Sequence, residues 1–325
     1  MAFDATSTAD DVLAGIDLTN RTVVVTGASG GIGLEAARAF AAHGATVVAA
    51  ARSEAKLADA IATVRESHPG ANVEPLLLDL ASLASVRAAA AALADRHPVV
   101  HIVVDNAGVM ATPFGRTADG FEMQFGTNHL GHFLFTNLLQ PQLVAGGADG
   151  GARVVSLSSA GHSMGTVDFV DPNFDHRAYD PFVAYGQSKT ANILFAVALD
   201  AHLAGRGVRA FAAHPGGIHT ELGRYMTKED IALLAGRIRE RNAAVGSSGA
   251  PSFRWKTVSQ GAATSVWAAT STDLDDVGGR YCEDCSLALP AEHTVGSGYQ
   301  AYAVDPDAAR RLWTLSEDLV GERFP

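Results

Sequence analysis

Tyr185 and Lys189 stand four residues apart in VAYGQSKTANILFAVAL, residues 183–199. On a helix that spacing places both side chains on one face. A phenol has a pKa of about 10, and a neighbouring cation makes its phenolate easier to form. The pair could be a proton carrier and its tuner, or an aromatic ring beside a solvated charge. A second pattern, VVVTGASGGIGLEAARAF, sets Gly27, Gly30, Gly31 and Gly33 between a β-branched run and a helical one. Such a turn lets the backbone approach a pyrophosphate. The helix that follows offers free N–H groups and the positive end of its dipole. The spacing is one residue looser than GxGxxG, and the flanking strand and helix give it its weight.

Other strand ends extend this pattern. An acid after the second strand would take the ribose hydroxyls of NAD; here Ala51 is followed by Arg52. A guanidinium there suits a 2′-phosphate, with Ser29 as a further donor; an ordinary helix-entry charge is the lesser reading of Arg52. Asp79 follows the third strand, where it could accept from an adenine amine or cap the helix near Ser82. The small residues Asn106, Ala107 and Gly108 follow the fourth strand. Cys282 and Cys285 form CEDC, but a zinc site needs about two more ligands and only His293 lies near. His129, His132 and His214 lack ligand spacing. Arg237, Arg239 and Arg241 could bind an acidic substrate, though interleaved Glu240 makes a charged helix face the plainer reading.

These residues need positioning elements, and the periodicity supplies them. The runs 21–26, 45–51, 73–78, 99–104, 153–158 and 207–214 read as six strands. Helical runs at 34–44, 54–67, 83–96, 121–144 and 184–204 separate them. Continuous apolar strands alternating with helices predict an α/β fold, a doubly wound parallel sheet of Rossmann type covered on both faces. A single domain is expected, with a core of about 17–285. A lid is expected at about 219–256, rich in apolar residues (Met226, Ile231, Leu233, Leu234, Phe253 and Trp255) that could meet an apolar substrate or simply pack the lid down. A C-terminal extension, 286–325, is expected to pack on the core. The chain has 325 residues, 47% of them hydrophobic, and a net charge of −11, which argues against a nucleic-acid surface. MAFDATSTADD lacks a signal-peptide apolar core, and no apolar run nears the ~18 residues of a membrane span. With two cysteines, these bounds point to the cytoplasm.

TGASGGIG, NAG, the serines of VVSLSSAGH, YGQSK and HPGGIHT, in this order, resemble the short-chain dehydrogenase/reductases. TNHLGHFLFT and the leader VLAGIDLTNRTVVVTGASGGIG look most like the branch holding retinol dehydrogenases and the WW-domain oxidoreductase. The resemblance implies an NAD(P)-dependent oxidoreductase moving a hydride between nicotinamide and an alcohol or carbonyl group. It implies Tyr185 as acid/base, and Lys189 as its partner and as a ligand of the nicotinamide ribose. It implies Ser159 as the oxygen-binding hydroxyl, with Ser158 as fallback, and Asn128 as support for the lysine. The cofactor would be held by Gly27, Ser29, Gly30, Gly31, Ile32, Gly33, Arg52, Asp79, Leu80, Asn106, Ala107, Gly108, Tyr185 and Lys189. Pro215, Gly216, Ile218 and Thr220 would line the nicotinamide. NADP is expected in preference to NAD, and no metal. The first Asn of the family's Asn-Asn-Ala-Gly is here Asp105. Dimers or tetramers through helices 121–144 and 184–204 are implied, with longer members sometimes monomeric. The alternative is a non-catalytic dinucleotide sensor that binds a protein partner.

Overall fold

Short runs of Val, Ala and Ile form a sheet whose faces are both covered, so their side chains need no polar alternation. The computed structural model describes residues 3–230, 232–233, 236, 255–294 and 297–325. Its strands are β1 (Thr22–Thr26), β2 (Thr46–Ala51), β3 (Asn72–Leu77), β4 (Ile102–Asp105), β5 (Ala152–Leu157), β6 (Val208–His214), β7 (Gly217–Ile218), β8 (Trp255–Lys256), β9 (Arg280–Glu283) and β10 (Ser286–Leu287). Its helices are α1 (Ala9–Leu13), α2 (Gly31–Ala42), α3 (Glu54–Ser67), α4 (Leu83–Arg96), α5 (Met123–Phe125), α6 (Gly131–Leu138), α7 (Gln140–Ala148), α8 (Pro181–Leu203), α9 (Val258–Thr270) and α10 (Pro306–Val320).

Eight strands make one sheet in the order β10-β9-β6-β5-β4-β1-β2-β3, parallel except for β10. β7 and β8 pair separately. Alternate residues feed two cores. Val24, Val48, Val103 and Val154 join one, whereas Val23, Val25, Val47, Val104 and Val155 join the other. The chain reverses its winding direction between β1 and β4, so a crevice opens beyond their carboxyl ends.

The strand β9 is additional to the six predicted, because RYCE is short and charged at both ends and gives no apolar run. The predicted helix over 121–144 is not continuous. It divides into α5, a π turn at Gly126–Leu130, α6 and α7. Pro141 cannot donate an N–H to extend α6 and instead sits in the first turn of α7. Ser53 and Ser82 cap α3 and α4 through their hydroxyls. Of the predicted lid, Ile231, Leu234 and Phe253 lie outside the described residues, as do Arg237, Arg239, Glu240 and Arg241. Among the described residues, no helix is long and apolar enough to cross a membrane.

The C-terminal helix α10 packs along α8, which is thereby covered on the side away from the sheet. Trp313 stacks on His202 at 4.1 Å and meets Phe133 edge-on at 5.1 Å. His129 Nε2 lies 2.8 Å from Ser316 Oγ. Trp313 is buried, so Trp313→Ala should lower the unfolding free energy by about 3–5 kcal/mol. A denaturation midpoint equal to that of the unsubstituted protein would show that α10 is not anchored there.

Candidate active site

A cleft runs across the carboxyl ends of β1, β2, β4, β5 and β6; Ser159, Tyr185, Lys189 and the candidate cofactor-binding residues line it, whereas Asn128 is buried behind its wall. Asp180 caps α8 by accepting from Phe182 and Val183 N–H, and Pro181 fits its first turn. Tyr185 and Lys189 follow on the second and third turns. Both are buried, and the Lys189 nitrogen lies 5.7 Å from the Tyr185 ring centre. Lys189 Nζ donates to Leu157 O, at the end of β5, at 2.8 Å. Burial pushes the lysine down to about 8. It pushes the Tyr185 phenol up to about 12, opposed by interaction with the Ser159 hydroxyl.

The two serines face different ways. Ser158 donates to Lys189 O at 2.8 Å and is used up inside the fold. Ser159 caps a 3₁₀ turn, Ala160–Met164, and its hydroxyl accepts from Gly161 N–H beside the Tyr185 ring. Ser159 is therefore the serine brought to Tyr185.

Asn128 sits in the π turn, a distortion often found at functional sites. Its Oδ1 accepts from Val109 N–H at 2.8 Å, and its Nδ2 donates to Val109 O and Ser188 Oγ, each at 2.9 Å. The carbonyl of Asn128 accepts from His132 Nδ1 at 3.0 Å. Burial pushes His132 down to about 4, so the ring is neutral and its Nε2 is an acceptor. Thr26 Oγ1, 2.8 Å away, donates to it. The same Thr26 oxygen accepts the N–H groups of Asn106 and Ala107, both at 2.9 Å. One chain of hydrogen bonds thus joins the NAG loop to the turn that carries Asn128. Thr26 was missed in the sequence, and His132 was weighed there only as a metal ligand; a threonine at a strand end and a histidine on an apolar face give no signal of this connecting role.

On the dinucleotide side, Gly27 has φ +67°, and an added Cβ would meet Ala107 Cα at 2.9 Å. A Cβ on Gly33 would meet Gly27 O at 2.5 Å, so the turn is pressed against the helix. Gly30 begins α2 with no side-chain cap. The first N–H groups of α2 are therefore left for an anion in the cleft, a donor set that fits a pyrophosphate. Ser29, Gly31 and Ile32 line the same wall. Arg52 lies at the rim with Ser53 and Lys56; Lys56 is a second cation that the strand-end reading overlooked. Asp79 does not cap α4, since Ser82 does; one of its carboxylate oxygens accepts from Ala81 N–H, and Leu80 lies beside it. Pro215, Gly216, Ile218 and Thr220 line the far end, where Thr220 approaches Gly31.

Three features stand apart from the cleft chemistry. Asp105 is fully buried, takes one hydrogen bond from Thr136 at 2.9 Å, and is pushed up to about 8 by burial. Cys282 and Cys285 are free thiols, buried in the core, and burial pushes both up. Among the described residues, no group of three or more His, Cys, Asp or Glu is placed to hold a metal.

The family model for short chain dehydrogenase matches residues 21–230. The chain is 38% identical to retinol dehydrogenase 13 of Homo sapiens, over 94% of this chain and 86% of that one. It is 36% identical to the short-chain dehydrogenase TIC 32 A, chloroplastic, of Brassica napus, over 98% and 94% respectively. A crystal structure of an uncharacterized protein from Mycobacterium Paratuberculosis superposes with a TM-score of 0.73 at 35% identity, covering 98% of this chain and 99% of that one. A gluconate 5-dehydrogenase from Burkholderia cenocepacia, in complex with NADP and tartrate, superposes with a TM-score of 0.62 at 25% identity, over 82% of this chain and 94% of that one. The chain belongs to the short-chain dehydrogenase family. It is an NAD(P)-dependent oxidoreductase.

Thr26→Val keeps the shape but removes the oxygen that serves Asn106, Ala107 and His132. Each buried partner left unpaired costs about 1–3 kcal/mol. The variant should unfold at lower denaturant and bind the dinucleotide more weakly. Unchanged values in denaturation and calorimetry would break the proposed connection.

Proposed function

We propose that the chain transfers a hydride between NADP(H), in preference to NAD(H), and the carbon of a largely apolar alcohol or carbonyl compound. The observation that carries this reading is the meeting of Tyr185, Ser159 and Lys189 in one cleft that also receives the uncapped start of α2. The dinucleotide, when bound, supplies or accepts the hydride. Gly27, Gly30, Gly31 and Gly33 would hold its pyrophosphate, Asn106 to Gly108 would pass beneath it, and Pro215, Gly216, Ile218 and Thr220 would line its nicotinamide. Ser159 orients the substrate oxygen. Tyr185, a phenol that is neutral at pH 7 and is pushed up to about 12 by burial, donates the proton in the direction of carbonyl reduction. Lys189, pushed down to about 8, still carries its charge at pH 7 and favours the phenolate in the opposite direction. Asn128 holds the loop over Lys189.

Beyond Tyr185 the cleft is lined by Met110, Met123, Met164, Phe182, Met226 and Trp255. Flexible thioethers fit irregular apolar ligands, and the relative named retinol dehydrogenase 13 points the same way. Buried free thiols suit a reducing compartment such as the cytoplasm. The α10 cover on α8 favours the monomer over a dimer through that face.

NADPH oxidation with a panel of apolar ketones and aldehydes tests the activity. Tyr185→Phe removes the proton donor and keeps the ring, so kcat should fall by about 10²–10⁴-fold, with dinucleotide binding by calorimetry nearly unchanged. A variant retaining most of its kcat would rule out this role.

The cofactor preference has its own test. A 2′-phosphate at the end of β2 meets Arg52, Ser53 and Lys56 and no acid at Ala51. A charged hydrogen bond contributes about 1.5–3 kcal/mol, or roughly 10- to 150-fold in affinity. Arg52→Ala should remove most of the NADPH preference while leaving NADH kinetics nearly as they were. A preference for NADH in the unsubstituted enzyme, measured as kcat/KM, would sink it.

A further inference from the structure

The loop that presents Ser159 is tied from behind by a histidine that does not enter the cleft. His162 is almost wholly buried, at 1% exposure. Its Nδ1 lies 2.7 Å from Ser159 O, and its Nε2 lies 3.1 Å from the backbone nitrogen of Gln300. A carbonyl oxygen can only accept, and a backbone N–H can only donate. The ring therefore carries its proton on Nδ1 and leaves Nε2 bare. That single neutral tautomer satisfies both partners, which the opposite tautomer or the imidazolium cannot do. Tyr281 meets the ring edge-on at 5.1 Å, and Tyr302 donates to His162 O at 2.9 Å. Gln300 and Tyr302 belong to the segment beyond β10, so the extension supports the serine loop as well as covering α8.

We propose that His162 is a positioning residue for Ser159, holding the serine carbonyl through Nδ1–H and itself oriented by the Gln300 N–H. The proposal rests on the function assigned above to Ser159. It follows a general pattern in which the hydrogen bond at one imidazole nitrogen sets what the other can do. A hydroxyl that must meet a substrate oxygen is sensitive to backbone shifts well below a bond length, and misplacement by about 1 Å can reduce rate by about 10²-fold.

Three measurements test it. His162→Phe keeps an aromatic ring and removes both hydrogen bonds; kcat should fall by about 10–100-fold, with dinucleotide affinity unchanged. Placed on Ser159→Ala, the same substitution should cost nothing further, because its effect passes through that hydroxyl. A merely structural role would lower both backgrounds alike, and that result would overturn the proposal, as would full activity of His162→Phe. Gln300→Pro provides a second route should His162→Phe fold poorly. Gln300 has φ −78°, which proline adopts, so the N–H donor is lost with little change in backbone. Its kcat should fall in the same direction, and an unchanged value counts against the proposal. Nitrogen-15 NMR of the histidine rings, assigned through either variant, should give the Nδ1–H tautomer for His162; an Nε2–H tautomer overturns the proposal without any turnover measurement. An unsubstituted protein that reduces no carbonyl, or an active Tyr185→Phe, would instead defeat the reading of the site. Loss of activity in Tyr185→Phe but not in His162→Phe defeats only the role of His162.

Discussion

A lysine buried in a long helix is an expensive group to accommodate, and much of this protein is arranged around Lys189. An ammonium taken out of water loses far more solvation than one hydrogen bond restores. The fold gives Lys189 the Leu157 carbonyl at 2.8 Å and little else, and its pKa falls to about 8 in consequence. Asn192 donates to the same carbonyl, and Ser158 donates to the carbonyl of Lys189 itself, so β5 and α8 are locked together at this point. Gly108 passes directly over the lysine. A Cβ there would lie 3.1 Å from Asn128 Oδ1 and 3.7 Å from Lys189 Nζ, so a side chain at this position would crowd the asparagine oxygen.

Support for the site comes largely from neutral histidines. His132 links the NAG loop to the π turn, and His162 links the C-terminal segment to the serine turn. In each case a carbonyl takes Nδ1–H and Nε2 accepts. A neutral imidazole in a fixed tautomer is a rigid two-ended connector, and at His132 burial favours that neutral form. Both histidines sit where a metal ligand might be suspected from residue type alone, and both have their nitrogens committed to protein groups.

The helix α8 is buried nearly all round because it is covered twice, by the sheet on one side and by α10 on the other. A helix enclosed in this way holds its residues in place without relying on its own propensity. Tyr185 and Lys189 are consequently fixed by packing at the middle of the molecule, while Arg52 and Lys56 lie at a rim where side chains are free to adapt.

The doubly wound sheet was legible in the sequence because its strands are continuous apolar runs and its glycine turn lies between strand and helix. The glycines and the Tyr185–Lys189 pair drew attention by type and local spacing, whereas the roles expected of Asn128, Ser159, Tyr185 and Lys189 came from the family resemblance. What depended on contacts between distant segments was not legible. The break of 121–144 into helices around a π turn arises from packing at Asn128 and from Pro141, and the periodicity of the run stays helical throughout. The strand Arg280–Glu283 exists because β6 offers it an edge, and its own residues give no apolar pattern. Ser158 and Ser159 are interchangeable by spacing; only the register of β5 against α8 turns one to Lys189 O and the other to Tyr185. The work of Thr26, His132 and His162 was decided by tertiary structure alone, because a hydrogen bond between residues many positions apart leaves no periodic trace in the chain.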